Sequence, residues 1–419
     1  MKSESKKEGG VIMKKKTVGI LLIVTMIVIS AVACGKEKTS DDKKESAKTE
    51  SVKKTDKKSK EDYEPAGVTK KEYQSMTAQD LVDRIKDVEN ITEEEALEFV
   101  STYAYVEYDD ELCRTENITD EAMQIIWDAG GGMPNTNTFL EAVVTSENPN
   151  VRAYGFSRMG GLFGTSDAEE KMAEEALEKE TDPVALDAAL NSLANSGSNP
   201  YIAKFFIKMS EHEHPIIRKD AAIAIGNYWS IGAEGMVETI IKLMNDEDEM
   251  VADVACSRAG NLADDQLVEP LVTILNDAEK TELHGSCCES LVTMWFDYPF
   301  HEKTSEAAYR ATMDYWAKTP RTQEDPEWTS LGDINHIAED SIEEWKAKAT
   351  YYNPDEICNI MKEIISDPEA NSWARTEAME AILNHGDDAQ KEELKSIIEG
   401  LTDKDASSIQ SRYANEIAE

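Results

Sequence analysis

The residues best suited to metal chemistry are His212 and His214, which alternate with Glu211 and Glu213 in the stretch SEHEHP. Imidazole and carboxylate groups at such short spacing can hold a transition metal together. The stretch falls in a predicted turn just before a helix that starts at Pro215, and polar side chains are expected in turns. We therefore assign no metal ligand and no other cofactor to this sequence.

A nucleophile is conceivable in HGSCCES, where His284 stands one helical turn before Cys287. A catalytic cysteine needs such a positioned base, but Cys287 and Cys288 occupy places where neighbouring helical segments bury Ala or Cys. The glycine-rich stretch GGGMPNT at 130–136 lacks the strand and the lysine of a phosphate loop. The sequence therefore predicts no catalytic residues and no enzyme; two facing, buried carboxyl groups in a cleft would reopen that question.

Cys34 is predicted to be modified. A basic cluster at 14–16 precedes the apolar stretch 18–33, which is shorter than the about 20 residues of a membrane-spanning helix and has the order of a secretory signal. The stretch Ala31-Val32-Ala33-Cys34 resembles the lipobox of bacterial lipoproteins, although Ala31 stands where that family usually has leucine. The resemblance implies cleavage before Cys34 and a diacylglycerol on its sulfur.

This resemblance also implies a place in the cell. We expect a lipid-anchored protein on the outer face of a bacterial cell membrane, and the long polar segment 34–60 fits a Gram-positive surface. That segment has too few apolar residues to fold and predicts a disordered tether. Met13 would open a shorter signal, and we expect it to be the true start. An ordinary secreted protein and a short membrane anchor stay open as alternatives.

The charge of the chain is strongly uneven. Residues 1–60 hold 16 lysines and eight acidic residues, so 61–419 carry 28 basic and 76 acidic residues, a formal net charge of −48. Such a domain should repel nucleic acid and anionic lipid. We therefore expect no nucleic-acid partner. The charge would attract basic proteins and cations, and the alternative, which the composition favours, is that it serves solubility alone.

The middle of the chain carries an internal repeat. Successive units start at Pro149, Pro183, Pro215 and Glu249, which are 34, 32 and 34 residues apart. Apolar or small residues recur at offsets 2, 6 and 10 from each start, the spacing of one helix face, and small residues recur at offsets 6 and 11. A second helical pattern follows in each unit, as in MVETIIKLM and LVEPLVTIL. Such helix pairs bury their apolar faces by stacking, which predicts an all-α solenoid.

The segments HPIIRKDAAIAIGNYW and LVEPLVTIL make this pattern similar to HEAT repeats, with Arg218 and Pro270 where that family often has arginine and proline. The resemblance implies an α-α superhelix of HEAT-like helical hairpins. It also implies binding of other proteins along an extended face, although a minority of such families are enzymes.

The domain organisation follows from these patterns. We predict a signal peptide at 1–33, the tether at 34–60, a less regular helical region at 61–147, HEAT-like repeats at 148–320, an irregular aromatic insertion at 321–352, and a C-terminal helical or HEAT-like region at 353–419. Thr77 with Asp80, and Thr92 with Glu95, predict helix starts. The stretch ARTEAMEAILNHG predicts a further unit at 367–400.

The region 295–352 holds 11 of the 29 aromatic residues of the chain. Aromatic clusters often anchor protein interfaces, and the candidate partner-binding residues are Trp295, Tyr298, Tyr315, Trp316, Trp328 and Trp345. The alternative is that the rings fill the core at an irregular junction between two blocks of repeats.

The predicted function is thus that of a membrane-anchored scaffold whose solenoid binds another protein. A receptor for a cell-wall glycan or a small solute, using the aromatic region, is the alternative.

Overall fold

The structure, a computed structural model, describes residues 75–103, 118–163, 166–194, 199–227, 232–296, 304–318, 326–335 and 339–418. The chain divides into two units between Lys57 and Lys58, and every described residue lies in the second. The predicted signal peptide, the tether and Cys34 lie outside the described residues. In the described ranges the regular elements are α-helices and 3-10 segments without a strand, so the all-α prediction is confirmed. No described helix has the length and apolar character needed to cross a bilayer.

The region before the repeats contains α1 (Ala78–Val82), α2 (Glu93–Tyr103), α3 (Ile118–Asp128) and α4 (Asn137–Val144). The Thr77 hydroxyl accepts the backbone N–H of Asp80 at 3.2 Å, and the Asp80 carboxylate accepts that of Thr77 at 2.7 Å. Thr92 and Glu95 exchange the same two bonds before α2. Both predicted helix starts are confirmed, because these side chains satisfy backbone donors that a helix start leaves unpaired.

The repeated units follow as helix pairs. They are α5 (Pro149–Phe156) with α6 (Asp167–Lys179), α7 (Pro183–Leu193) with α8 (Pro200–Met209), α9 (Pro215–Ile225) with α10 (Met236–Leu243), α11 (Glu249–Ala259) with α12 (Val268–Leu275), and α13 (His284–Phe296) with α14 (Glu306–Lys318). The first helices of four pairs begin at the residues predicted as unit starts. Proline suits the first position of a helix because a backbone N–H there would have no partner within the helix, so its absence costs nothing.

Consecutive first helices pack against one another from α5 to α13, and we name them layer A. The second helices form layer B and contact each other less extensively. Close approach in layer A depends on small residues. A Cβ built at Gly226, at the end of α9, would lie 2.3 Å from the Cβ of Arg258 on α11. One built at Gly260 would lie 2.7 Å from the carbonyl oxygen of Ser290 on α13. The prediction of small residues at close helix contacts is confirmed at these positions.

Beyond α14 the layers continue through an irregular region. The remaining helices are α15 (Glu339–Lys348), α16 (Pro354–Ser366), α17 (Ser372–His385), α18 (Asp388–Gly400) and α19 (Ala406–Glu416). A 3-10 segment, Pro326–Asn335, packs between α13 and α17 and takes the place of a first helix in layer A. In layer B, α16 lies between α14 and α18.

Ion pairs tie first helices to the unit that follows. Arginine and acid are 28 residues apart in the three pairs Arg152–Glu180 (2.6 Å), Arg218–Asp246 (2.7 Å) and Arg375–Asp403 (2.9 Å). Each arginine stands three residues after the first residue of α5, α9 or α17. Helix α17 therefore starts a unit equivalent to the earlier ones, in the segment where the sequence predicts one.

Candidate functional site

Three of the six aromatic residues predicted to contact a partner are core residues. Trp295, Trp316 and Trp345 each have 0% of their surface exposed. The Trp345 ring lies 4.9 Å from that of Phe296, and its indole N–H donates to the carbonyl oxygen of Trp295 at 2.9 Å. A partner cannot touch these rings in this fold, so the prediction is wrong for them. Large rings fill this junction because a 3-10 segment stands where the regular units have a full helix.

The other three candidates do not form an aromatic surface in the described residues. Tyr315 is half-buried, and it packs against the core. Tyr298 and the side chain of Trp328 lie outside the described residues. Two tryptophans that the sequence analysis did not select are exposed instead: Trp127 at the end of α3 is 68% exposed, and Trp373 at the start of α17 is 43% exposed.

The histidines of the SEHEHP turn act as caps. The backbone N–H of His214 donates to Nδ1 of His212 at 3.0 Å, and Nδ1 of His214 accepts the N–H of Ile216 at 3.3 Å, which caps α9. Burial lowers the pKa of both histidines, which keeps the ring nitrogens available as acceptors. Within the described ranges, no cluster of three or more His, Cys, Asp or Glu side chains is suited to a metal ion.

The cysteines of layer A are buried, as the sequence predicts. Cys256, Cys287 and Cys288 have 0% exposure. The neighbouring Cys256 thiol and burial raise the pKa of the Cys287 thiol. His284 lies 3.1 Å from the carbonyl oxygen of Asp277, which holds its ring at the preceding turn. A buried thiol with a raised pKa is a poor nucleophile.

Carboxyl groups from consecutive first helices of layer A interact in two pairs, Asp187 with Asp220 and Asp253 with Glu289. Asp187 on α7, Asp220 on α9, Asp253 on α11 and Glu289 on α13 come from four consecutive first helices, and we name them the acidic spine. Asp187 and Asp253 stand at offset 4 of their units, opposite the apolar stripe at offsets 2, 6 and 10. Asp220 hydrogen bonds with Asp187, and the Ser286 hydroxyl beside Glu289 donates to Asp253 at 2.5 Å. The spine therefore links helices of neighbouring units.

The spine has too few cations to neutralise it. Burial, followed by the charge of Asp187, raises the pKa of Asp220 to about 8, although the Lys219 ammonium lies 3.4 Å away. Burial also raises the pKa of Glu289; Arg258 opposes this shift and Asp253 adds to it. Carboxyl groups whose pKa is shifted by burial and by a neighbouring charge concentrate at functional sites, because catalysis and binding make use of shifted pKa values.

Sequence reasoning missed the spine, although a signal was present. Asp187 and Asp220 stand inside the otherwise apolar stretches VALDAAL and IIRKDAAIAI. An acid in such a stretch predicts either an exposed position or a buried one with a partner. The stretch alone does not tell which, because the partner of Asp220 lies on another helix.

The Asp187–Asp220 pair also has the chemistry that an acid–base enzyme would need. The pair does not line either of two clefts in the described structure. One cleft, of about 670 Å³, lies between α4 and α6 beside Arg152 and Glu180. The other, of about 790 Å³, lies between α14 and α16 and is lined by Arg310, Asp314, Glu356 and Asn359 among others. The absence of enzymatic activity stays a prediction.

Comparison with known proteins adds little to these observations. No protein-family model matches the chain, and no curated protein matches it. Three solved structures that are similar to it are crystal structures of engineered proteins. The first has 16% identity, covers 82% of this chain and 99% of its own, and has a TM-score of 0.33. The second has 17% identity, coverages of 65% and 92%, and a TM-score of 0.24. The third has 15% identity, coverages of 60% and 98%, and a TM-score of 0.25. Because these scores are low, the assignment of a helical-repeat fold rests on the helix order and contacts described above.

Proposed function

We propose that this protein is a lipid-anchored scaffold whose HEAT-like repeats bind a basic partner protein along the acidic spine. The observation that carries the proposal is the spine itself. Four consecutive first helices contribute carboxyl groups that interact in two pairs, and burial raises the pKa of Asp220 and of Glu289. Positive groups of a partner would supply the neutralisation that the domain itself lacks.

The HEAT-like character is supported by the recurring ion pairs. Arg218 is the arginine that carries the sequence resemblance, and its guanidinium binds Asp246 through two nitrogens, at 2.7 Å and 2.8 Å. Arg375 repeats this two-pronged contact with Asp403. Such planar contacts fix the relative orientation of neighbouring units. An ordered stack of units is what a partner-binding face requires.

The location rests on the sequence around Cys34. A lipid on its sulfur would hold the chain at the outer face of the cell membrane, and the tether 34–60 would keep a domain of net charge −48 away from anionic headgroups. We expect a Gram-positive cell surface.

Labelling of growing bacteria with an alkynyl fatty acid tests the anchor. Wild-type protein should take up the label, Cys34→Ser should not, and the matched control Cys358→Ser should, since Cys358 lies buried in α16. Wild-type protein without label would contradict the anchor.

The spine is tested with charge-matched variants of the full chain in detergent, used as bait for envelope proteins. Asp253→Asn with Glu289→Gln removes two charges from the spine. Glu238→Gln with Glu269→Gln removes two exposed charges from layer B. At moderate salt the dissociation constant of the retained partner should be about tenfold higher for the spine variant, and the control variant should bind the partner as tightly as the wild type does. Equal loss from both variants would mean attraction by net charge, and no loss from either would exclude the spine.

A second candidate is a receptor for a cell-wall glycan or small solute. The cleft between α14 and α16 favours it, since Asp314, Glu356 and Asn359 can accept and donate hydrogen bonds to hydroxyl groups there. Glu356→Gln should then weaken binding of soluble cell-wall fragments measured by calorimetry. Binding that is unchanged, or absent in the wild type, would exclude this cleft.

A further inference from the structure

The Asp187–Asp220 pair is the most deeply buried part of the acidic spine. Asp187 is 6% exposed and Asp220 is 4% exposed. They come from adjacent first helices, α7 and α9, and their carboxyl groups are close enough to hydrogen bond. Two carboxylates in contact away from water cannot both carry a charge at moderate cost, so they share one proton.

The hydrogen bonds around the pair leave one oxygen without a donor. The Asn191 side-chain amide donates to Oδ1 of Asp187 at 3.0 Å, and Nζ of Lys219 lies 3.4 Å from Oδ1 of Asp220. Oδ2 of Asp220 is buried and receives no N–H or hydroxyl donor. The proton shared with Asp187 therefore supplies the hydrogen bond that this oxygen otherwise lacks. The charged groups acting on Asp220 are Asp187 and Lys219.

The other described helices packed against α9 place no further charged group against Asp220. On its far side α11 presents Asp253 and Arg258 further along the spine, and among the described residues no charged group of α8 or α10 acts on Asp220. Replacement of a buried ionisable pair by apolar residues is often neutral or stabilising. A buried carboxyl pair departs from the apolar packing of the rest of the helix, and such departures are expected where a protein binds or reacts.

We propose that the Asp187–Asp220 pair receives the guanidinium group of an arginine side chain of the basic partner, which takes the place of the shared proton. The inference rests on the proposed scaffold function and names the group that the spine recognises. The proton leaves one carboxyl oxygen for solvent, both carboxylates become charged, and one positive guanidinium lies against them. No covalent bond other than that O–H is broken or made.

The surroundings of the pair favour guanidinium over ammonium. Its planar fork can donate to two carboxylates at once and is more weakly hydrated than a lysine ammonium, so it enters a partly dry site at lower cost. Asn191, whose amide donates to Asp187, is exposed, so the arginine side chain of the partner would approach the pair from that face of layer A. Lys219, whose side chain is 17% exposed, can turn outwards when a second cation arrives.

Calorimetry with a hexa-arginine peptide tests the inference on the full chain in detergent. Titrations at pH 6, 7, 8 and 9, each in two buffers of different ionisation enthalpy, count the protons released. About one proton per bound peptide should be released at pH 6 and almost none at pH 9. Binding should be about fiftyfold tighter at pH 8 than at pH 6, since the binding-competent fraction rises from about 1% to about 50%.

Two variants complete the experiment. Asp220→Asn should abolish both the proton release and the pH dependence, whereas the control Glu238→Gln on layer B should keep them. A wild-type protein that binds the peptide without releasing a proton, or does not bind it, overturns the inference. So does proton release that survives in Asp220→Asn.

Those results would leave the scaffold proposal intact, because partner capture is tested with Asp253 and Glu289. If Asp220→Asn loses its helical circular dichroism, Asp187→Asn and the wild-type proton count decide.

Discussion

Trp345 offers the sharpest test of whether the aromatic region is core or binding surface. Its side chain is 0% exposed, and its ring lies 4.6 Å from that of Tyr352 and 4.9 Å from that of Phe296. Truncation of a buried tryptophan to alanine costs about 3–5 kcal/mol. Trp345→Ala also removes the donor to the Trp295 carbonyl oxygen, for about 1 kcal/mol more. We expect a loss of about 4–6 kcal/mol in the free energy of unfolding.

Urea unfolding followed by far-UV circular dichroism measures this loss. Repeat proteins can unfold in part, so hydrogen exchange of α13, α15 and α16 should accompany it and show where protection falls. Trp127→Ala is the matched control. It removes the same side chain at a position that is 68% exposed, and we expect a change within about 0.5 kcal/mol.

A loss below about 1 kcal/mol for Trp345→Ala, similar to that of Trp127→Ala, would refute the packing described here. Unchanged stability together with lost binding of a glycan or solute would restore the receptor hypothesis for these rings. A large loss confined to the helices around the ring would establish that aromatic residues replace a missing first helix in layer A.

Three further predictions concern the contacts between units. Gly226→Ala and Gly260→Ala should each lower the melting temperature. The added methyl group would be overpacked at a cost of about 1–3 kcal/mol, which exceeds the about 1 kcal/mol gained in helix propensity. Gly400→Ala should not lower it, because its Cβ would meet nothing within 4 Å. The pKa of Asp220 is about 8 in the folded protein, above its ordinary value of 3.8. At a pH between these two values the folded protein binds one more proton than the unfolded chain, so the free energy of unfolding falls as the pH rises towards 8. Urea titrations should show about 2 kcal/mol lower stability at pH 8 than at pH 6, and Asp220→Asn should remove that difference; a wild-type profile that is flat would contradict the shared proton. Arg375→Ala should cost about 3–5 kcal/mol, since it removes a fully buried side chain and leaves the Ile365 carbonyl oxygen without its donor. Arg412→Ala, at a 53% exposed position, should cost under about 1 kcal/mol in the same assay.

Much of the fold could be predicted because helical repeats are local. The unit starts at Pro149, Pro183, Pro215 and Glu249 match the first residues of four helices, since proline, caps and apolar spacing act within one turn or one helix. The capping residues Thr77 and Thr92 were found for the same reason. Gly226 and Gly260 could be predicted as contact points, because a small residue repeated at one offset has its cause in the neighbouring unit.

The candidate site was harder to predict from the sequence. Composition drew attention to the aromatic region, but Trp295, Trp316 and Trp345 turned out to be buried, because composition does not say on which side of a helix another element packs. The 3-10 segment Pro326–Asn335 had no counterpart among the regular units. Its presence decided that the rings around it belong to the core.

The sequence by itself determined the helical repeat, the starts of its units, the acidity of the domain and the chemistry expected at Cys34. The tertiary structure alone decided that Asp187 lies against Asp220, that Arg375 pairs with Asp403, and that Trp295, Trp316 and Trp345 are buried. The physical reason is that helical periodicity assigns a side chain to one face of its own helix. The helix opposite that face is chosen by packing between units, and burial, hydrogen bonding and the pKa of a carboxyl group all depend on that choice.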